Sequence, residues 1–375
     1  MAFGHTSNLQ FKISNFPFSI AARGRAMRYF STVITVCLLA VFAVIPADAP
    51  GSGTEPKQAD PAWVWPLPPE QPRVRHFMTV ITPEDLGVKK GFFARVWQFI
   101  AGKNEADRIL SPHGVVSDSK GKVYVADWGA AKVHFFDFEK KKYDVFGSTR
   151  SGPLESPIGI ALDGQGLVYV SDSVKRRIFV FTGTKNTRVI GDDGLLRPTG
   201  IAVNVKEKLL YVVDTQGHRV EVFDLEGKRV RSIGKRGIGA GEFNYPTHIA
   251  IDSAGDLYVV DTLNFRVQIF DKAGKFLSKF GSTGTGIHDF LKPKGIAVDT
   301  TGNIWVSDSL RNSIQVFNRQ GRLLLIFGKM GISRGEFNVP AGLYIDAGDR
   351  LYVADSYNYR MQVFQYLADT VQKQK

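Results

Sequence analysis

Short runs of β-branched and aromatic residues alternate with turns containing Gly and Asp throughout the chain after residue 110. Runs of this length and composition predict β-strands joined by hairpins. No stretch of useful length in this region has the 3.6-residue apolar period of a helix. The pattern therefore predicts an all-β region that extends from residue 112 to residue 364.

One unit recurs six times in this region. Each copy opens with Pro, runs through an apolar strand to Asp or Asn, and continues through a turn into an aromatic-Val-x-Asp strand. The second strands are separated by 45, 42, 47, 47 and 47 residues and end at Asp127, Asp172, Asp214, Asp261, Asp308 and Asp355. A third strand, a turn with Gly and a basic residue, and a fourth strand follow in most copies. Four strands at this period are typical of a propeller blade.

The sixth unit ends after its third strand at Phe364, and residues 365–375 contain no copy of the fourth strand. Residues 73–82 near the other end of the repeat region have the length and apolar content of the missing strand. We expect them to form the outer strand of the last blade, because this pairing closes the ring and removes exposed strand edges. Residues 83–111 would then connect this strand to the first blade.

The six units resemble NHL repeats, whose pattern is roughly P-x-G-I-A-V-D-x-x-G-x-Y-V-x-D-x-x-N-x-R-I-Q-V-F. The Asn-x-Arg element is intact in Asn264-Phe-Arg266 and Asn358-Tyr-Arg360 and degenerate at residues 130–132 and 175–177. The resemblance implies a six-bladed β-propeller over residues 112–364. It implies little about activity, since NHL propellers include RNA-binding domains, protein-binding sensors and a few lyases. The Asp and Arg residues recur in the blades, and we interpret them as turn and inter-blade contacts.

Candidates for chemistry are the residues that interrupt the repeat. The position after each initial Pro lies on the innermost strand, which lines the central channel of a propeller, and it reads His113, Ile158, Thr199, Thr247, Lys294 and Ala341. One position further on, His248 replaces the usual Gly. The predicted ligand-binding residues at the channel mouth are therefore His113, Thr199, Thr247, His248 and Lys294.

Metal chemistry fits this row poorly. The resemblance to NHL-like peptide-amidating lyases implies zinc on three channel histidines that each follow the Pro, and only His113 matches. The row contains no Asp, Glu, Asn or Gln to bind calcium. We therefore expect no metal, no cofactor and no assigned catalytic residue. The alternative to a binding role is a lyase or hydrolase that uses His113, His248 and Lys294.

A segment outside the repeat, residues 91–102, is rich in aromatic and aliphatic residues at helical spacing. We expect a short helix there that caps the propeller or presents Phe93 and Trp97 to a partner or a membrane interface. Together with Trp128 these residues are the candidate partner-binding residues.

The start of the chain is typical of a targeting segment. Arg28 precedes an apolar run of about 17 residues from Tyr29 to Ile45, a length at the lower limit for crossing a bilayer. Residues 1–49 are thus predicted to be an export signal or a retained signal anchor, with Met1 or Met27 as the start. The single Cys, Cys37, lies within this run. Residues 50–72 form a Pro-rich linker.

The chain carries a net charge of +12. An exported propeller would not ordinarily meet RNA, so nucleic acid is not the expected partner. We expect a monomeric propeller, periplasmic or anchored at the membrane by residues 29–45, that binds a protein or an anionic ligand of the cell envelope. The predicted function is a non-enzymatic binding scaffold.

Overall fold

The computed structural model describes residues 63–67, 69–87, 108–191 and 194–367, which belong to one compact unit. The first strands are β1 (Val64–Trp65) and β2 (Val74–Val80), followed by a 3-10 helix at Pro83–Leu86. Each of the first two blades has four strands: β3 (Pro112–Ser117), β4 (Lys122–Asp127), β5 (Lys132–Asp137) and β6 (Lys142–Phe146), then β9 (Pro157–Leu162), β10 (Leu167–Asp172), β11 (Arg177–Thr182) and β12 (Lys185–Ile190). A small hairpin joins these blades through β7 (Ser148–Thr149) and β8 (Gly152–Pro153).

The remaining blades follow the same plan. Blades three and four contain β13 (Pro198–Asn204), β14 (Leu209–Asp214), β15 (Arg219–Asp224) and β16 (Arg229–Ile233), then β17 (Pro246–Ile251), β18 (Leu257–Asp261), β19 (Arg266–Phe270) and β20 (Phe276–Phe280). Blades five and six contain β21 (Pro293–Val298), β22 (Ile304–Asp308), β23 (Ser313–Phe317) and β24 (Leu323–Phe327), then β25 (Pro340–Ile345), β26 (Arg350–Asp355) and β27 (Arg360–Tyr366). Further 3-10 turns are Thr262–Asn264 and Ser356–Asn358.

All strand pairs within the blades are antiparallel, and each inner strand contacts the inner strand of the next blade, ending with β25 against β3. The six sheets therefore form the closed ring that the repeats predict. Chain direction defines two faces. The loop face carries the turns between second and third strands and the connections between blades; the opposite face carries the other turns.

The predicted closing strand is confirmed. Strand β2 pairs with β27, with Val74 opposite Tyr366 and Val80 opposite Met361, and both valines are fully buried. The sequence did not predict β1, which adds a fifth strand outside β2. Its Trp65 ring lies 5.5 Å from the Phe327 ring, so this part of the Pro-rich segment packs on its own propeller.

The hydrophobic core lies between the blades, because each sheet buries both faces against its neighbours. One cluster, for example, joins Val80 and Met361 of blade six to Val115 and Phe136 of blade one. Close approach of the inner strands explains the recurring glycine of the repeat. A Cβ at Gly159 would lie 2.1 Å from the carbonyl oxygen of Thr199, which no side chain tolerates.

The repeated polar residues are structural, as the sequence analysis interpreted them. Asp127 is fully buried and accepts hydrogen bonds from the backbone N–H groups of Leu110, at 2.6 Å, and Ser111, at 2.8 Å. Arg266 contacts Asp261 at 2.8 Å and also donates to backbone carbonyls of the preceding inter-blade loop. These bonds satisfy loop groups that the fold removes from water.

Several expectations fall outside the described residues. These are the export signal or anchor over residues 1–49 and the helix over residues 91–102. In the part of the chain that the structure describes, no helix has both the length and the apolar content to cross a membrane.

Strand β2 should be essential for the ring. We expect Val80→Asp to lower the free energy of unfolding by several kcal/mol, because it buries a carboxylate without a partner. Phe77→Asp is the matched control, since Phe77 lies on the same strand and is 51% exposed. Chemical denaturation of both variants measures the effect. Equal midpoints would contradict the closing role.

Candidate ligand-binding channel

The centre of the ring is occupied by two histidines from opposite blades. His113 follows the initial Pro of blade one, and His248 takes the glycine position of blade four. Their rings stack at a centroid separation of 5.2 Å and an interplanar angle of 17°. Both side chains are buried, and neither Nδ1 atom has a hydrogen-bond partner. The sequence predicted both residues but not their stacking across the channel.

Burial and neighbouring cations set the charge of this site. Burial, and then the charge of Lys294, lowers the pKa of His113 well below its usual value and that of His248 to about 3. Burial, and then the charges of Lys292 and Arg197, lower the pKa of Lys294 to about 8. At neutral pH both imidazoles are therefore neutral while Lys294 is mostly protonated. The charged neighbours that shift the three pKa values are all basic.

The two predicted threonines, Thr199 and Thr247, form hydrogen bonds between neighbouring blades. The Thr199 hydroxyl donates to the Thr247 carbonyl at 2.9 Å, and the Thr247 hydroxyl donates to the Lys294 carbonyl at 2.9 Å. These bonds connect consecutive inner strands of blades three, four and five. The hydroxyl protons are thus committed to inter-blade contacts, and any ligand contact would use the remaining oxygen lone pairs.

A cavity of 680 Å³ occupies the channel on the side of the opposite face. His248 lines it, and so do the turns around Ser119 and Gln165, which lie between first and second strands. The charged residues Asp118, Lys120 and Lys122 also line it. Every inner strand contributes aliphatic side chains to its wall, including Val115, Ile160, Ile201, Ile249, Ile296 and Leu343. The sequence analysis missed this cavity, although its signal is the apolar residue three positions after each initial Pro.

Of the three candidate partner-binding residues, the structure describes only Trp128. Trp128 is 46% exposed on the loop face, at a position where the other five blades have Ser or Thr. In blade two this residue is Ser173, whose hydroxyl donates to the Pro198 carbonyl of the next blade at 2.6 Å. Trp128 lacks a hydroxyl and projects a large surface instead. Phe93 and Trp97 lie outside the described residues.

No group of three or more His, Cys, Asp or Glu side chains that could hold a metal ion occurs among the residues that the structure describes. The two channel histidines are therefore not joined by a third ligand of these types within that part of the chain. The chemistry that the site offers is one cation beside two neutral imidazoles.

Comparison with known families agrees with the observed ring. A family model described as a 6-bladed beta-propeller matches residues 198–261 and 253–304, and a model of the NHL repeat matches residues 337–364. The molecule is therefore a six-bladed β-propeller. Its blades are NHL repeats, because the pattern matched in the last blade recurs in all six.

Solved structures of the same shape come from proteins with different roles. Virginiamycin B lyase from Staphylococcus aureus has a TM-score of 0.53 at 14% identity, over 70% of this chain and 97% of that one. An auxiliary nutrient binding protein from Bacteroides thetaiotaomicron has a TM-score of 0.55 at 15% identity, over 69% of this chain and 70% of that one. At these identities the likeness shows the fold alone.

The buried histidines should make the propeller sensitive to acid. A folded-state pKa below the unfolded value means that stability is full above about pH 6.5 and falls as the pH drops towards the folded pKa. For His248 the loss between pH 7 and pH 4 should be about 3 kcal/mol.

His248→Gly restores the residue of the repeat and should remove this loss. The measurement is the free energy of unfolding at the two pH values for both proteins. His288→Gly is the control, since His288 is exposed on a loop. An unchanged acid sensitivity in His248→Gly would contradict the argument.

Proposed function

We propose that this protein is a non-enzymatic binding propeller whose channel takes a small ligand with an apolar body and an anionic head. The observation that carries the proposal is the positive charge of Lys294 beside two neutral imidazoles, one of which, His248, lines a cavity with a largely aliphatic wall. Lys294 forms no ion pair in the described part of the chain. The charged residues that shift the pKa of Lys294 are basic and do not neutralise it. An anionic head of the ligand would supply the missing negative charge.

The cavity supports the other half of this ligand. Its volume falls within the range of about 300–1,000 Å³ that is usual for small-molecule sites. The aliphatic ring around Ile201 and Ile296 would bury an apolar body, at about 25 cal/mol for each Å² removed from water. Two imidazole Nδ1 atoms without partners would accept hydrogen bonds from a hydroxyl or amide group of the head.

An enzyme is the weaker candidate. A lyase or hydrolase at this site would need His113 or His248 as a general base, and the unpaired Nδ1 atoms are the observation in its favour. General bases work best when their pKa lies near the operating pH. A pKa of about 3 makes His248 a poor proton acceptor at neutral pH, and that of His113 is also strongly lowered. These properties suit a site that binds without turnover.

The N-terminal sequence supports a location outside the cytoplasm for this binding activity. The basic flank and apolar run before residue 46 favour export, so we propose that the propeller acts outside the cytoplasm as a monomer. The ligand would then be a small amphiphilic anion of the cell envelope.

Affinity for an amphiphilic carboxylate should depend on the charge of Lys294. With octanoate as the probe, we expect binding that is constant up to about pH 7 and weakens as the pH rises through 8, where Lys294 loses its proton. Lys294→Met should lower affinity by about tenfold to a hundredfold and abolish this pH dependence. Isothermal titration calorimetry measures both effects.

Two controls sharpen the experiment. Octylamine has the same apolar body with a positive head and should not bind, and Lys292→Met removes a neighbouring exposed cation and should have a smaller effect than Lys294→Met. Equal affinity of Lys294→Met and the unchanged protein for octanoate would refute the proposal.

A further inference from the structure

Exposed apolar side chains are concentrated on one side of the ring. Of nineteen exposed large apolar side chains among the described residues, thirteen lie on the loop face: Leu110, Trp128, Val174, Leu196, Ile238, Tyr245, Leu263, Ile287, Leu310, Met330, Ile332, Tyr357 and Tyr359. On the opposite face this set contains only Leu67, in the connection between β1 and β2, and Val205, in a turn between first and second strands. An apolar excess of this kind on one face marks an interaction surface.

The most exposed of these residues are on three consecutive inter-blade loops, residues 234–245, 281–292 and 328–339, which we call the isoleucine rim. Ile238 and Ile332 are each 79% exposed, Ile287 is 65% exposed and Met330 is 71% exposed. These values exceed those of every other exposed apolar residue on the loop face. The rim therefore presents four aliphatic side chains to solvent.

The backbone beneath each isoleucine is held by a buried side chain of a third strand. Arg266 donates to the Ile238 carbonyl at 2.8 Å, and Arg360 donates to the Ile332 carbonyl at 2.5 Å. In the middle loop, Gln315 donates to the Ile287 carbonyl at 2.8 Å. These hydrogen bonds hold the loops in a conformation that points the isoleucine side chains outward, so their exposure is part of the folded structure.

The rim is also basic. Its three loops contain five basic residues, Lys235, Arg236, Lys292, Lys329 and Arg334, and three acidic residues, Glu242, Asp289 and Glu336. Each acid accepts a hydrogen bond from a backbone N–H group of its own loop, at 3.0 Å in all three cases. The acids thus stabilise loop turns, and Glu242 and Glu336 also pair with Lys235 and Lys329, each at 3.4 Å. Arg236 and Lys292 form no ion pair in the described part of the chain.

The N-terminal side of the described chain runs towards this rim. Strand β1 is antiparallel to β2, with Val64 opposite Arg75, so the chain from Trp65 back to Trp63 runs towards the loop face. The Trp63 ring contacts the Arg334 guanidinium at 5.6 Å, within the loop that carries Ile332. Residues 46–62 separate this point from the apolar run at 29–45, and 17 residues reach at most about 60 Å.

We propose that the isoleucine rim docks on an anionic lipid bilayer, inserting Ile238, Ile287, Ile332 and Met330 at the headgroup boundary. Separate aliphatic side chains among basic residues suit a soft, negatively charged interface. Binding hot spots for proteins are instead enriched in Trp and Tyr, whereas the four most exposed apolar side chains of the rim are Ile and Met. This docking is independent of the channel ligand.

The test places an environment-sensitive NBD fluorophore at chosen sites of the full chain. Cys37→Ser removes the single native Cys, and Ile238→Cys or Ile332→Cys then introduces a labelling site on the rim. Val205→Cys is the matched control, since Val205 is 50% exposed on the opposite face. Vesicles of phosphatidylcholine with or without phosphatidylglycerol are added, and emission is recorded for each protein after its fold has been checked by circular dichroism.

We expect a blue shift and a severalfold rise in emission at positions 238 and 332 with phosphatidylglycerol vesicles, and neither change at position 205. Anchoring through residues 29–45 alone would not distinguish the two faces, so equal responses at 332 and 205 would overturn the proposal. Equal responses with and without phosphatidylglycerol would overturn its anionic part. A response at 238 and 332 to soluble acidic protein, with vesicles inert, would overturn it in favour of a protein partner.

Discussion

A buried Asp ends each second strand. Its carboxylate binds the backbone just before the inner strand of the same blade, where the chain enters that blade. The side chains of Asp127, Asp172 and Asp308 are fully buried, and each accepts hydrogen bonds from the backbone N–H groups of the two residues before the initial Pro of its blade. Removing one would leave orphaned donors, at a cost of about 1–3 kcal/mol each. Because every inter-blade connection ends in such a contact, the position of every inner strand depends on it.

The repeat made the fold predictable, since each local signal agrees with the ring. Six copies and one missing strand were sufficient to place β2 against β27, because a closed ring leaves no unpaired edge. The stacking of His113 on His248 was not predictable in the same way. It depends on the width of the channel and on side-chain directions across the ring, and neither is encoded in the repeat itself.

Positions that keep the repeat are explained by the fold, whereas positions that depart from it are candidates for function. Where the pattern has glycine, the inner strands nearly touch, as at Gly159, and the residue is required for packing. Where blade four has His248 instead, a buried imidazole is placed at the centre of the ring at a cost in acid stability. Trp128 similarly replaces a hydroxyl that elsewhere connects two blades. A residue that gives up a stabilising feature of its own repeat requires another explanation, and ligand or partner contact supplies one.

The two proposed surfaces do not compete for space. The cavity is lined by turns of the opposite face, whereas the isoleucine rim belongs to the loop face. A propeller resting on a bilayer through its rim would keep the cavity mouth towards solution. Lys292 on the rim and Lys294 in the channel are two residues apart on the same chain segment, and Lys292 lowers the pKa of Lys294. Because Lys294 is already mostly protonated at neutral pH, anionic headgroups near Lys292 would change its charge little, so the bilayer contact and the channel site can act independently.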